Sequence, residues 1–263
     1  MRASPIILPP FLEQRLSKGE PLGTRELQPG GYTAFQPARL TKVVSGTRQI
    51  RDFRLGAEAQ EALYHCDRQL KLRSAIPGSE TPLPGYDSLR EAYDFAFSSL
   101  PRRNISVSFL TEVHQRILGN GKESVAGRIR TTQNWINGTD PHDARFVPPP
   151  AHSLHEALED LDHFVACSDA LPATLQAIIA FGQLLLIHPF SDGNGRMGRI
   201  LLLLMLHSRG VACSPRLGLE QYFRTHRQRY LMETRSLTYV IGWDRMVQFI
   251  TEALSTTFSN TIN

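Results

Sequence analysis

Two apolar segments meet across a short polar turn late in the chain, and they limit the fold more than any other feature. One runs through Leu184–Ile187 and the other through Ile200–Leu206, with the twelve residues from His188 to Arg199 between them. Both fall far short of the roughly 20 residues that span a bilayer. A helix that is apolar on nearly all sides must lie inside the molecule. The pattern therefore predicts two buried helices joined by the turn, the second running from Asn194 to about His207. Pro172 opens the first of these helices and Gly210 stops the second.

The turn reads His188-Pro189-Phe190-Ser191-Asp192-Gly193-Asn194-Gly195-Arg196-Met197-Gly198-Arg199. Gly193 and Gly195 let the backbone approach an anion with no Cβ in the way. N–H groups at such a turn, and at the helix start that follows, make an anion site. Arg196 and Arg199 are three apart, hence on one helix face, and guanidinium forks suit phosphate oxygens. Asp192 can hold a magnesium ion on the same phosphates, and His188 titrates near neutrality and can move a proton. The residues describe a nucleotide-phosphate site with a general base beside it.

Around this centre the periodicity predicts further helices. They run over Gly56–Leu72 (with Ala59, Leu63, Cys66 and Leu70 inward), Ser88–Leu100, onward from Ser106, over Ser153–Ser168, Leu219–Thr234 and Trp243–Leu254. Residues 1–50, rich in Pro, Gly and Thr, read as an extended, loosely ordered arm. Thr131–Ile136 suits a strand, Asn137–Pro141 a turn and Ala144–Val147 a returning strand, which Pro148–Pro150 then ends. Such a hairpin can cap the core, or it can take an extended peptide by strand addition.

Composition narrows the class. At 263 residues with 41% hydrophobic and 21% charged side chains, the chain has the profile of a soluble globular protein. A net charge of +4 is modest, and with no recognition helix or basic block nucleic acid is not an expected partner. Cys66, Cys167 and Cys213 form no Cys-x-x-Cys pair, which argues against a zinc ribbon and for thiols in a reducing compartment. A cytoplasmic location with no membrane contact is the expectation. Histidines other than His188, among them His142, His163, His207 and His226, lack metal-ligand spacing. Arg224, Arg227, Arg229 and Arg235 read as a solvated face.

The turn resembles the signature of Fic-domain (Fic/Doc) proteins, His-x-Phe-x-Asp/Glu-Gly-Asn-Gly-Arg-x-x-Arg, at every fixed position. The likeness extends to Arg130-x-x-Gln133-x-Trp135-Ile136 and the Phe146-Val147-Pro148-Pro149-Pro150 stop, and spans roughly residues 50–255, about three quarters of the chain. It implies an all-α, Fic-type helical bundle with a small β-hairpin flap beside the active site. It also implies an N-terminal arm (1–50), an N-terminal helical region (51–105), a catalytic core (106–255) and a C-terminal tail (256–263). The implied activity is that of a nucleotidyltransferase, a protein adenylyltransferase moving AMP from ATP to a Ser, Thr or Tyr hydroxyl of a target docked on the flap (128–150). His188 would be the base and Asp192 the Mg2+ ligand. Gly193, Asn194, Gly195, Arg196, Arg199 and Tyr230 would hold the nucleotide, with Asn194 on the α-phosphate and the arginines on the β- and γ-phosphates. UMP or phosphocholine donors occur with similar motifs. A non-catalytic or toxin-like module controlled by an antitoxin-like or self-association partner is the competing class.

Several positions depart from the resemblance. Relatives that phosphorylate carry lysine where this chain has Gly195, which favours AMP transfer. Many relatives carry an inhibitory helix whose glutamate pairs with the second motif arginine; here Arg73 and Pro77 stand at its key positions, so Arg199 is expected to be open to ATP unless Glu80 compensates. A serine common near the start of a later helix is Glu220 here, and a Tyr-Tyr pair is Tyr230-Leu231.

Overall fold

The computed structural model describes residues 23–37, 55–73, 87–119, 124–166, 171–211, 216–238 and 241–259. Two strands, β1 (Gly23–Leu27) and β2 (Thr33–Pro37), precede a helical assembly. Its helices are α1 (Ala57–Arg73), α2 (Asp87–Ser99), α3 (Val107–Leu118), α4 (Leu154–Ala166), α5 (Ala173–Ile187), α6 (Asn194–Ser208), α7 (Arg216–Thr225), α8 (Arg227–Ser236) and α9 (Ile241–Ser259). No helix among the described residues is long and apolar enough to cross a membrane.

The expected central pair is α5 and α6. Every side chain from Thr174 to Ile187 is buried, as is the run from Ile200 to Leu206. Burying side chains of this size stabilises the fold by about 1.5–3 kcal/mol each before entropy is counted. Glycines set the spacing at two crossings: a Cβ on Gly198 would come within 3.1 Å of the Phe181 ring, and one on Gly182 within 2.7 Å of Trp243. α3 and α2 cover α6, α4 covers α5, and α9 ties α1, α7 and α8 to α5. The Ser106 hydroxyl caps α3 by accepting from the Phe109 N–H at 3.2 Å, while Asp162 of α4 accepts from the Val107 N–H at 2.6 Å.

Three local features differ from the sequence reading. Within the arm, β1 and β2 pair antiparallel from Gly23↔Pro37 to Leu27↔Thr33. The connecting turn uses Gly30 and Gly31 at positive φ, so glycines that suggested looseness instead close a hairpin. β2 is docked, with Phe35 buried and its N–H donated to the Val147 carbonyl at 2.8 Å. The flap, in turn, keeps one β-bridge between its own limbs, Ile136↔Phe146, and a second, Ile129↔Phe190, to the turn after α5. Side chains replace the missing ladder: Gln133 donates to the Asn134 and Pro148 carbonyls, and the Asp143 carboxylate accepts from the Thr139 and Asp140 N–H groups. The expected Leu219–Thr234 helix is broken at His226, whose ring stacks on Tyr222 and bonds its carbonyl at 3.0 Å.

Cys66 is buried, and burial pushes its thiol up to about 12, so it is an inert core residue. Cys167, Cys213, Pro77 and Glu80 lie outside the described residues. The Gly182 contact yields a prediction. Gly182→Ala should lower the stability of the fold by about 1–3 kcal/mol, because the new methyl group must displace the Trp243 ring. Urea unfolding measures it; an unchanged midpoint would mean that α5 and α9 do not pack at this distance.

Candidate active site

The turn between α5 and α6 starts where α5 runs out of backbone partners. His188 takes the left-handed conformation (φ 51°) and closes α5 through its N–H to the Leu184 carbonyl at 2.9 Å. A non-glycine residue there is unfavourable unless its surroundings hold it. Arg130 does so. The residue is 4% exposed, and its guanidinium donates to the His188 carbonyl (2.8 Å), the Thr132 carbonyl (2.9 Å), and the carbonyls of Pro149 and Ile187. Its backbone N–H donates to the Pro189 carbonyl at 2.9 Å. Burial lowers the Arg130 pKa to about 10, which still leaves it cationic at neutral pH. That charge sits at the negative end of the α5 dipole.

His188 itself is half-buried. Its Nδ1 lies 3.3 Å from the Leu185 carbonyl, which can only accept, so Nδ1 carries the proton and Nε2 the lone pair. Burial is the largest influence on this imidazole; the hydrogen bond to Leu185 opposes it and the Arg130 charge adds to it, giving a pKa of about 4. His188 is therefore neutral at physiological pH and able to accept a proton.

The loop that follows is braced from inside. The Asn194 side chain, 2% exposed, accepts from the Phe190 N–H at 2.9 Å and donates to the Phe190 carbonyl at 2.7 Å. The Asn194 amide thus serves the loop with its oxygen and one of its two N–H donors, which fixes where the remaining donor lies. His114 of α3 stacks on the Phe190 ring at 3.7 Å. Its Nδ1 accepts from the Gly127 N–H at 3.0 Å, which leaves Nε2 to donate to the Asp192 carbonyl at 2.8 Å. Burial keeps its pKa below the usual value and so preserves the neutral form that this pairing needs.

The first intrahelical bond of α6 runs from the Met197 N–H to the Gly193 carbonyl at 2.9 Å. The N–H groups of Asn194, Gly195 and Arg196 precede it and are the expected anion site. Asp192 lies at the rim, its side chain 44% exposed, with Oδ1 accepting from the Gly193 N–H at 2.6 Å. No cluster of three His, Cys, Asp or Glu side chains that could hold a metal ion occurs among the described residues. One half-exposed carboxylate beside an anion site fits a magnesium ion that arrives with phosphates and keeps most of its water.

The two arginines differ sharply. Arg196 is loosely held, 3.3 Å from the Ile117 carbonyl and 3.7 Å from Asp192. Arg199 is locked: its Nε and Nη2 both meet Glu220 Oε2 at 2.7 Å, and Glu220 Oε1 accepts the Tyr93 hydroxyl at 3.0 Å. Burial works against the Arg199 charge, but Glu220 more than offsets it and its pKa lies above normal. Glu220 takes only this edge of Arg199, whose Nη1 faces Gly195 at the start of α6. Tyr230, its phenol pushed up by burial, bonds Arg199 and packs on Phe223.

Two cavities flank Tyr230 and Leu231. One, of about 220 Å³, is lined by Ile136, Phe146, Leu185, His188, Gly195 and Tyr230 among others and is mainly apolar. The other, of about 500 Å³, carries Arg196, Arg199, Glu220, Arg224 and Arg227. The arginines expected on a solvated face are exposed at 224, 227 and 235 and border these cavities. Arg224 and Arg227 line the charged cavity, Arg235 lines the apolar one, and Arg229 pairs with Glu252 at 2.7 Å.

Residues 104–206 match the model of the Fic/DOC family, a span that contains His114, Arg130, the flap and the whole turn. This segment is a Fic/DOC domain. The chain is similar to protein adenylyltransferase fic-1 of Caenorhabditis elegans, at 36% identity over 129 residues, 47% of this chain and 24% of that protein. It is also similar to the protein adenylyltransferase Fic of Nematostella vectensis, at 29% identity over 51% of this chain and 32% of that one. The chain spans about a quarter to a third of the length of these curated relatives. Among solved structures, Fic-1 (aa134 - 508) from C. elegans superposes with a TM-score of 0.58 at 20% identity, covering 85% of this chain and 74% of that one. At that identity the likeness establishes a shared helical fold.

Arg130, His114 and Glu220 brace the site, and the sequence reading gave none of them that role. Arg130 and Glu220 appeared there only as pattern positions.

The His188 surroundings make a pH prediction. Its ring should titrate near pH 4 by NMR, not near the ordinary 6.5. Since the unfolded chain binds this proton more readily, His188 makes stability fall as pH drops from 6.5 towards 4. A midpoint near 6.5 would show the ring to be solvated rather than buried.

Proposed function

We propose that the chain is a protein adenylyltransferase that moves AMP from ATP to a Ser, Thr or Tyr hydroxyl of a protein target. The observation that carries this reading is the neutral His188, its Nε2 lone pair unprotonated, on the wall of a cavity that also includes Gly195 at the start of α6. The names of the similar proteins support the donor and the group transferred.

The nucleoside occupies the apolar cavity between Ile136, Phe146 and Tyr230, and the phosphates run across the α6 N-terminus into the arginine-lined cavity. The N–H groups of residues 194–196 receive the α-phosphate oxygens, where negative charge grows as the bond forms. His188 Nε2 takes the proton of the target hydroxyl, whose oxygen then bonds to the α-phosphorus. The bond from that phosphorus to the bridging oxygen breaks, and pyrophosphate leaves with the electron pair. General base action of this type contributes about 10²–10⁴-fold. Asp192 is the protein ligand for Mg2+, which when bound offsets the charge of the α- and β-phosphates. Arg196 turns from its weak contacts to the same oxygens.

The flap presents the target. The single bridge between its limbs leaves room for an extended segment to lie along 131–147, and Trp135, 37% exposed, offers an apolar contact at its edge.

Magnesium, a candidate lysate and ATP labelled at the α- or the γ-phosphate provide the test. Protein labelling from the α-label alone, lost by at least 100-fold in His188→Ala, is the expected result. Labelling from the γ-label alone would overturn AMP transfer in favour of phosphorylation. Labelling that survives His188→Ala would remove His188 from the base role.

A further inference from the structure

Arg199 is held from three helices. Its Nε and Nη2 both meet Glu220 Oε2 at 2.7 Å, so one edge of the guanidinium is committed to α7. The other carboxylate oxygen, Glu220 Oε1, accepts the Tyr93 hydroxyl of α2 at 3.0 Å. The Phe223 ring lies 5.2 Å from the guanidinium carbon, and the Tyr230 phenol of α8 bonds the same side chain. Glu220 and Tyr93 are both buried, which leaves this frame little solvent to relax into. The remaining terminal nitrogen, Nη1, lies 3.4 Å from where a Cβ on Gly195 would stand, at the start of α6.

A guanidinium is planar and rigid, so fixing the Nε and Nη2 edge also fixes where Nη1 points. Glu220 and a phosphate at the start of α6 meet different parts of the fork, and neither has to leave for the other. A buried cation also needs a counter-charge before any ligand arrives, and the carboxylate supplies it. We infer that Glu220, steadied by Tyr93, is a positioning residue that aims the Arg199 guanidinium at the distal phosphates of the nucleotide. This rests on the nucleotide-binding reading above and gives a part in it to two residues outside the twelve-residue turn. An arginine already oriented gives up little rotamer freedom on meeting its ligand, whereas the loosely held Arg196 must be ordered by it.

Calorimetry of the full chain with Mg2+ tests the assignment by comparing α,β-methylene ATP with AMP, since the ratio of their affinities reads the distal phosphates. Glu220→Leu removes the acceptor and should cut the preference for the triphosphate by at least tenfold, with AMP affinity little changed. Glu220→Gln keeps an oxygen for the same two N–H groups and should retain most of the preference. In an Arg199→Gln background Glu220→Leu should cause no further loss, because positioning acts through that arginine. A merely structural role would weaken both ligands and add to the Arg199→Gln loss. Tyr93→Phe removes one hydroxyl and should lower the preference in the same direction; it carries the test if thermal melts show Glu220→Leu to be unfolded. A preference that stays or rises in the folded variant would overturn the inference, a rise meaning that Glu220 competes with the phosphate. So would a Glu220→Gln loss as large as that of Glu220→Leu, or an undiminished loss in the Arg199→Gln background. If the unsubstituted chain binds neither compound, the nucleotide reading itself falls and this inference falls with it. Binding of both compounds with no preference removes this inference alone.

Discussion

The Arg130 guanidinium lies beneath the His188 turn, and the geometry of the site depends on it. A buried cation needs compensation, and among the described residues its compensation comes from four backbone carbonyls in place of a carboxylate. Two of those carbonyls end α5 and two belong to the flap, so one side chain joins the base to the surface beside it. A carboxylate partner would have neutralised the charge. With carbonyl partners the charge remains, and it adds to burial in keeping His188 unprotonated. Packing of the turn and basicity of the imidazole therefore have one physical origin.

The second half of the turn is fixed by a different device, saturation of backbone groups by buried amides and rings. Asn194 closes the Phe190 peptide from both sides, and His114 bridges Gly127 to Asp192 with both ring nitrogens in use. These bonds hold the start of α6, where the N–H groups of residues 194–196 precede the first intrahelical bond. An anion site thus arises at a braced helix start, whose N–H groups no preceding carbonyl of the helix can reach.

This bears on how far the site could be read from the chain. The helical pair, the turn and the stop at Gly210 follow from apolar periodicity and glycine, because those signals are local. So is the chemistry of His188 and Asp192. Asn194 illustrates the limit: residue type and spacing suit a phosphate donor, but only the fold reveals that its amide also braces Phe190. Arg130 and His114 act across 58 and 78 residues of sequence, and no spacing rule links them to the turn. The two-strand ladder went unread because Pro and Gly mark a tight hairpin as readily as a loose arm. The flap, conversely, lost its ladder to amide side chains that compete for the same backbone groups.

Arg199 carries the same lesson into electrostatics. In sequence it is the partner of Arg196, one helical turn further on, and the two invite the same role. In the fold the two occupy opposite regimes, since Arg196 keeps contact with water and Arg199 is enclosed by Glu220, Tyr93, Tyr230 and Phe223. Burial makes a partner for Arg199 obligatory before any ligand arrives, and Glu220 supplies it on one edge while Nη1 stays turned to the start of α6. Glu220 stands on α7, beyond the apolar helix that carries Arg199, and approaches it only because α7 and α8 fold back over α6. The split of that helical stretch at His226 places Arg224 and Arg227 on the same cavity. The edge that Arg199 keeps for a ligand is set by Glu220, 21 positions along the chain, and not by anything in the turn itself.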